Sequence, residues 1–175
     1  IAAEKFKLFK NLKSNEIGIV CGDYKVTSLY SSSHPTVKFG LKSKNQIKAC
    51  NVVVDNKINK MQTIFKLKCY GESVDISMPG NHAGAVYNAV AAGAVAHFLN
   101  IPIKTIATGI CQYKGTQGRF EFKKLKNGKG ILISDCYNAN PASMKAAIDA
   151  FEQMTLNGKK VLILGDMLEL GSRAV

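Results

Sequence analysis

Arginine is nearly missing from this chain. Of its 24 basic residues, all but Arg119 and Arg173 are lysine. Only 12 acids oppose them, so the net charge is +12, a balance that would suit a nucleic-acid binder. Specific recognition of bases and phosphates, however, draws on the planar guanidinium fork. The lysines are scattered, and no basic strip interleaved with aromatics occurs. The charge therefore describes a solvated lysine-rich surface with a general attraction for anionic ligands. No nucleic-acid partner is expected.

Paired cysteines are missing as well. The five cysteines, Cys21, Cys50, Cys69, Cys111 and Cys136, are odd in number, and none has CxxC spacing. That excludes a zinc site and a disulfide framework, and fits a reducing, cytoplasmic setting. The histidines, His34, His82 and His97, lack metal-ligand spacing. No apolar run reaches the roughly 18 residues of a membrane-spanning helix, so no membrane span is expected. The start, "IAAEKFKLFK", has neither an initiator Met nor a signal-peptide layout. The chain reads as an excised or processed piece of something longer. Nor does a P-loop of the G-x-x-x-x-G-K-[ST] type occur anywhere.

Hydrophobic residues make up 46% of the chain, enough for a core. The first segment, "AAEKFKLFKNL", places Phe6, Leu8, Phe9 and Leu12 at near-helical spacing, the tail of an amphipathic helix. "EIGIVCG" is a short buried strand. Residues 35 to 80 then carry short, β-branched, partly alternating runs that predict a small antiparallel meander or extension. A buried helix is expected from Ala83 to Leu99, and a second one over "PIKTIATGICQY", with Pro102 near its first turn. "KGTQGRF" is the best linker. Beyond it, "RFEFKKL" and "GILISD" flank a "KNGK" hairpin turn. "PASMKAAIDAFEQM" is a helix that opens on Pro141, and "KKVLILGD" is a buried strand. A helix between two apolar strands suggests a βαβ unit and a parallel sheet.

In open α/β sheets, ligands sit beyond the carboxyl ends of the strands. "ILISD" and "VLILGD" both end in an acid, so Asp135 and Asp166 are expected on one sheet edge. The helix starting near Pro141 would add free N–H groups there, which favour anions. A plainer reading stands beside this one: Asp135 and Asn140 simply turn the chain into the helix and cap it. Spacing alone leaves both open.

The stretch "SDCYNANPASMKAAIDAF", followed by "GKKVLILGDMLELG", resembles the Mur ligase family. Ser134 and Cys136 depart from its D-D-S-Y-N-A-N-P-x-S-M pattern; Asp135, Tyr137, Asn138, Ala139, Asn140, Pro141, Ser143 and Met144 keep it. "MPGNHAGAVYNAVAA" is similar to the family's P-G-x-H-N-x-x-N-A-L-A-A, with His82 and Asn88 as the matching polar residues, set two positions further apart than usual. "GTQGRFE" looks like its G-R-x-E junction, and "EKFKLF" like its A-K-x-x-I/L-F, in which Lys5 matches the lysine. Asp23, in "IVCGDYKV", falls near an N-x-D-D position too weakly to carry a role.

The resemblance implies an α/β chain in two parts. Residues 1–115 would be the C-terminal part of a P-loop-type central, ATP-binding domain with a small antiparallel β extension. Residues 116–175 would be the start of a Rossmann-like C-terminal domain. The implied reaction joins D-alanyl-D-alanine to UDP-N-acetylmuramoyl-tripeptide through an acyl phosphate, with ATP and Mg2+, in cytoplasmic peptidoglycan biosynthesis. It also implies His82, Asn88, Arg119 and Asp135 at ATP, Tyr137, Asn138 and Asn140 at substrate, and Lys5 as a carbamylated Mg2+ ligand. Two alternatives stay open: another amide ligase of the Mur or folylpolyglutamate-synthase type, or a non-catalytic nucleotide-binding remnant. Phosphoryl transfer rests on positioning and charge neutralisation, and the P-loop that supplies much of both is absent from these residues. The 175-residue chain alone is therefore expected to show no ATP-dependent ligation; ADP release that required both an acid and an amine substrate would overturn this.

Overall fold

The computed structural model describes residues 2–29, 33–55, 61–80, 83–126, 130–155, 158–168 and 170–171. Helix α1 (Ala2–Phe6) runs into a 3-10 turn (Lys7–Asn11), so the helical tail is shorter than its apolar spacing implies. Strands β1 (Gly18–Cys21) and β2 (Thr36–Gly40) follow, with the single-turn helix α2 (Lys25–Ser28) between them. Then come β3 (Ile47–Asp55), β4 (Gln62–Cys69) and β5 (Glu72–Pro79), and helices α3 (Ala83–Phe98) and α4 (Ile103–Cys111). The last part holds β6 (Glu121–Lys124), β7 (Ile131–Ser134) and α5 (Pro141–Glu152).

The first five strands form one sheet in sequence order. β1 and β2 are parallel, and so are β2 and β3, but the latter overlap only at Phe39↔Ile47 and Gly40↔Lys48. β3, β4 and β5 are antiparallel neighbours. The expected meander over 35–80 is thus corrected: "TVKFGL" joins β1 in parallel, and the meander proper is β3–β5, continuous with the parallel strands in a single mixed sheet.

One face of that sheet is buried. Along β4 the side chains alternate, Thr63, Phe65, Leu67 and Cys69 inward and Ile64, Lys66 and Lys68 towards solvent. This is the pattern of an antiparallel sheet with one wet face. On the wet face, Lys66 faces its cross-strand partner Asp75 at 2.7 Å. α3 lies across β1 to β4, and α4 covers β5. The core joins Ile47, Phe65, Leu67, Ile76 and Met78 to Val86, Ala89, Val90 and Ala94 of α3 and Ile106, Ala107 and Ile110 of α4. The buried positions of α3 follow the three-and-four spacing of one helix face, and they are small. A Cβ on Gly93 would sit 3.1 Å from Leu67 Cδ2, so the helix rests close on the sheet.

β6 and β7 form a separate antiparallel pair, Glu121↔Ser134 to Lys124↔Ile131. The expected hairpin turn falls partly on residues 127–129, outside the described residues. α5 starts as expected on Pro141 and touches α3. The expected strand "KKVLILGD" is not formed: residues 159–166 make no ladder, and Ile163 is 91% exposed. Strand propensity needs a partner edge to become a strand, and no described strand pairs with these residues. The βαβ unit is therefore absent here, and no common sheet edge joins Asp135 to Asp166.

Two substitutions separate core from surface. Phe65→Ala, at 1% exposure, should cost about 3–5 kcal/mol of unfolding free energy. Ile163→Ser should stay within about 0.5 kcal/mol. Urea denaturation of the two variants checks both.

Candidate functional site

The carboxyl ends of β1 and β2 carry the most connected polar group among the described residues. Asp23 follows β1. Its carboxylate accepts from Leu41 N–H at 2.6 Å, Lys42 N–H at 3.2 Å, Asn45 Nδ2 at 2.6 Å and Tyr87 Oη at 3.0 Å. Four donors thus reach it from the β2–β3 loop and from α3. Burial would push the carboxyl up, but the hydrogen bonds from Leu41, Asn45, Lys42 and Tyr87 outweigh it and hold Asp23 below the usual carboxylate range. Burial first, then the bond to Asp23 and its charge, push the Tyr87 phenol well above its ordinary value. The Tyr24 ring stacks on Tyr87 with centroids 5.9 Å apart.

Glycines make room for this group. A Cβ on Gly22 would run into Asn45 Oδ1. Gly40, at φ +153°, has Asp23 Cγ 2.6 Å from where a Cβ would be. Asn45 is 2% exposed, and its Oδ1 has no hydrogen-bond partner. Such an orphan costs about 1–3 kcal/mol, so the bond from Nδ2 to Asp23 offsets a real penalty. The sequence reading set Asp23 aside. The available signal was the Gly-Asp that closes "IVCGD", the same ending that drew attention to Asp166.

A second group forms where the linker meets β7. Arg119 lies over the Tyr137 ring, its Cζ 4.3 Å from the centroid. Tyr137 N–H donates to Gly118 O at 3.1 Å, and Phe120 N–H to Asp135 Oδ1 at 3.2 Å. Gly118 at φ +68° and Phe120 at φ +49° fold the linker tightly enough for these contacts. A left-handed Phe costs about 1–3 kcal/mol. Gly118 N–H also donates to Glu121 Oε2 at 3.1 Å; with Lys123 it holds that carboxyl below its usual range. Tyr137 remains 71% exposed and Arg119 is exposed. The arrangement offers a guanidinium braced against an aromatic face, with its N–H donors open to an anion.

The remaining expected site residues are spread out. Asn140 caps α5: its Oδ1 accepts from Ser143 N–H at 2.9 Å, while Ser143 Oγ accepts from Asn140 N–H at 3.1 Å. A cap of this kind contributes about 1 kcal/mol, so the plainer reading of Asn140 is realised. Asn138 Oδ1 accepts from Ala139 N–H at 2.8 Å. Asn88 is exposed on α3, next to Tyr87. Lys5 is exposed on α1, beside the Glu4–Lys7 ion pair of 2.8 Å. Among the described residues, no hydrogen bond, ion pair or ring contact joins Lys5 or Asn88 to Arg119, Tyr137 or Asp135. His82 lies outside the described residues.

For Mg2+, no group of three His, Cys, Asp or Glu side chains could hold a metal among the described residues. A carbamate on Lys5 would fit the usual mode for this ion, in which one or two carboxylate-like oxygens act together with phosphates and water. Nor is any helix of the described residues long and apolar enough to cross a membrane.

The chain is thus an α/β protein whose polar groups gather at strand carboxyl ends and at a linker. The profile of the Mur ligase middle domain matches residues 1–96, and that of the Mur ligase glutamate ligase domain matches residues 118–174. The chain belongs to the Mur ligase family. It is 36% identical over 172 residues to the UDP-N-acetylmuramoyl-tripeptide--D-alanyl-D-alanine ligase of Bacillus subtilis, covering 98% of this chain and 36% of that protein. It is 30% identical over 148 residues to a UDP-N-acetylmuramate--L-alanine ligase of Clostridium kluyveri, covering 83% of this chain and 31% of that one. The crystal structure of MurF from Acinetobacter baumannii superposes with a TM-score of 0.81 at 28% identity, covering 95% of this chain and 35% of that one. The chain therefore spans about a third of the length of these relatives.

The depressed carboxyl of Asp23 gives a pH prediction. Its contribution to stability is complete above the ordinary carboxylate value of 3.8 and is lost as pH falls below that, through the folded-state value. Asp23→Asn should lower the urea midpoint at neutral pH. It should also flatten the acid limb of the midpoint-against-pH curve.

Proposed function

We propose that a protein carrying this chain joins D-alanyl-D-alanine to UDP-N-acetylmuramoyl-tripeptide at the expense of ATP. This places it in cytoplasmic peptidoglycan synthesis, and so in cell-wall growth, shape and division. The observation that carries the reading is the Arg119–Tyr137–Asp135 group. It is an exposed cation stacked on an aromatic face at the start of the second matched family region. The printed activity of the Bacillus subtilis relative supports the substrate choice. The Clostridium kluyveri relative favours a second reading, in which the amine partner is a single amino acid.

In this reading residues 1–115 belong to the middle domain and 116–175 to the C-terminal domain. The γ-phosphoryl group of ATP passes to the tripeptide carboxylate, and the amine of D-alanyl-D-alanine displaces phosphate from the acyl phosphate. This chain's residues position and neutralise. Asn88, His82 and Asp135 contact ATP, the first two at its base, and Arg119 meets the phosphates. Tyr137, Asn138 and Asn140 line the peptide side. Lys5, as a carbamate, would help hold Mg2+, which would screen the phosphate charge. Arg119 suits a phosphate because its fork stays charged at any working pH.

The test is ADP release by the whole protein, with the tripeptide nucleotide present and D-alanyl-D-alanine added or withheld. Release should require both substrates, and Arg119→Ala should lower kcat/KM for ATP at least about tenfold. Release driven by a free amino acid instead would support the second reading. An unchanged kcat/KM in Arg119→Ala would remove Arg119 from the site.

A further inference from the structure

Helix α3 meets the sheet through a smooth face. Val86, Ala89, Val90 and Ala94 are its buried residues, and Gly93 lies against Leu67. Small side chains let a helix approach closely, but they offer few ridges to resist its rolling about its own axis. Any functional side chain on the outer face is then aimed only as well as the roll is fixed. Asn88 is such a side chain.

The group around Asp23 supplies what the smooth face lacks. Tyr87, the residue before Asn88, donates its hydroxyl to Asp23 Oδ2 at 3.0 Å. Asp23 is itself held by Leu41 N–H and Lys42 N–H of the β2–β3 loop and by the buried Asn45. Tyr24 stacks on the Tyr87 ring from the β1 side. A long lever on α3 is therefore fastened to the ends of two parallel strands. Neighbouring residues on a helix are about 100° apart around its axis, so fixing Tyr87 also fixes the direction of Asn88.

We infer that the Asp23–Tyr87 hydrogen bond sets the roll of α3 and thereby aims Asn88 at a bound nucleotide. The inference rests on the reading of Asn88 as a nucleotide contact. Asp23 and Tyr87 are positioning residues in it: they touch the helix and the strand ends, and act on the ligand through Asn88. Gly22 and Gly40 belong to the same device, since a side chain at either would displace Asn45 or Asp23.

The experiment is a double-mutant cycle in the whole protein, with ADP and Mg2+ as the probe and calorimetric titration as the readout. Tyr87→Phe keeps the ring and its stacking and removes only the hydroxyl. It should weaken ADP by a factor that approaches, and does not exceed, the loss in Asn88→Ala, because Tyr87 acts on the ligand only through Asn88. Asn88→Ala should weaken ADP as well, and the double variant no further than Asn88→Ala alone. A purely structural role for Tyr87 would instead add its loss to that of Asn88→Ala in full, and that result overturns the inference. So does an unchanged affinity in Tyr87→Phe. An unchanged affinity in Asn88→Ala removes Asn88 from the nucleotide site and the inference with it, whereas additivity removes the inference and leaves Asn88 in place. Melting curves establish that each variant is folded; should Tyr87→Phe not be, Asp23→Asn takes its corner of the cycle, with the same outcomes.

Discussion

The close approach of α3 to the sheet is the contact on which the rest of this chain depends. The sheet has one apolar face, and its large side chains, Phe65, Leu67, Ile47 and Ile76, all point there. Burying them contributes roughly 1.5–3 kcal/mol each. No second sheet covers them among the described residues; α3 and α4 do. A helix of bulkier side chains would stand off and leave gaps over Leu67. The alanines, valines and Gly93 of α3 let the sheet's large residues fill the space instead. Division of labour follows: the sheet supplies volume and the helix supplies proximity.

Proximity has a consequence for polar groups. Where α3 crosses the carboxyl ends of β1 and β2, Asp23 is half-buried, and leaving its carboxylate without partners there would carry a desolvation cost. Asp23 is tolerated because four donors meet it, three from the β2–β3 loop and one from α3. The linker group works on another principle. Arg119, Tyr137 and Asp135 are held by backbone geometry and one aromatic stack, and they stay open to solvent. One group is saturated with internal donors and organises structure; the other is open and suited to a ligand.

Much of this was legible in the sequence, for identifiable reasons. α3, α4 and α5 were readable because Ala-rich periodicity and a proline at the first turn are local signals. The β6–β7 hairpin was readable because two apolar runs flank a glycine-containing turn. The parallel pairing of β2 was not, because the same short β-branched run suits either direction, and the choice is made by what lies beside it. The Asp23 group was illegible for a related reason. Its members, Asp23, Asn45 and Tyr87, come from three elements, and each alone looks like an ordinary surface residue.

The segment 159–166 shows the limit most clearly. Val161, Leu162, Ile163 and Leu164 have every local property of a buried parallel strand, yet they are exposed and unpaired. A parallel strand is not a property of its own residues; it exists when a neighbouring edge offers N–H and C=O groups in register. β7 is the natural neighbour, and one of its edges is taken by β6. The run carries the local signature of a strand that the described residues do not assemble. Local pattern therefore predicted a strand that the packing of this chain does not form. The same holds for Asp166, whose place on a sheet edge depends on that strand and not on its own spacing from Asp135.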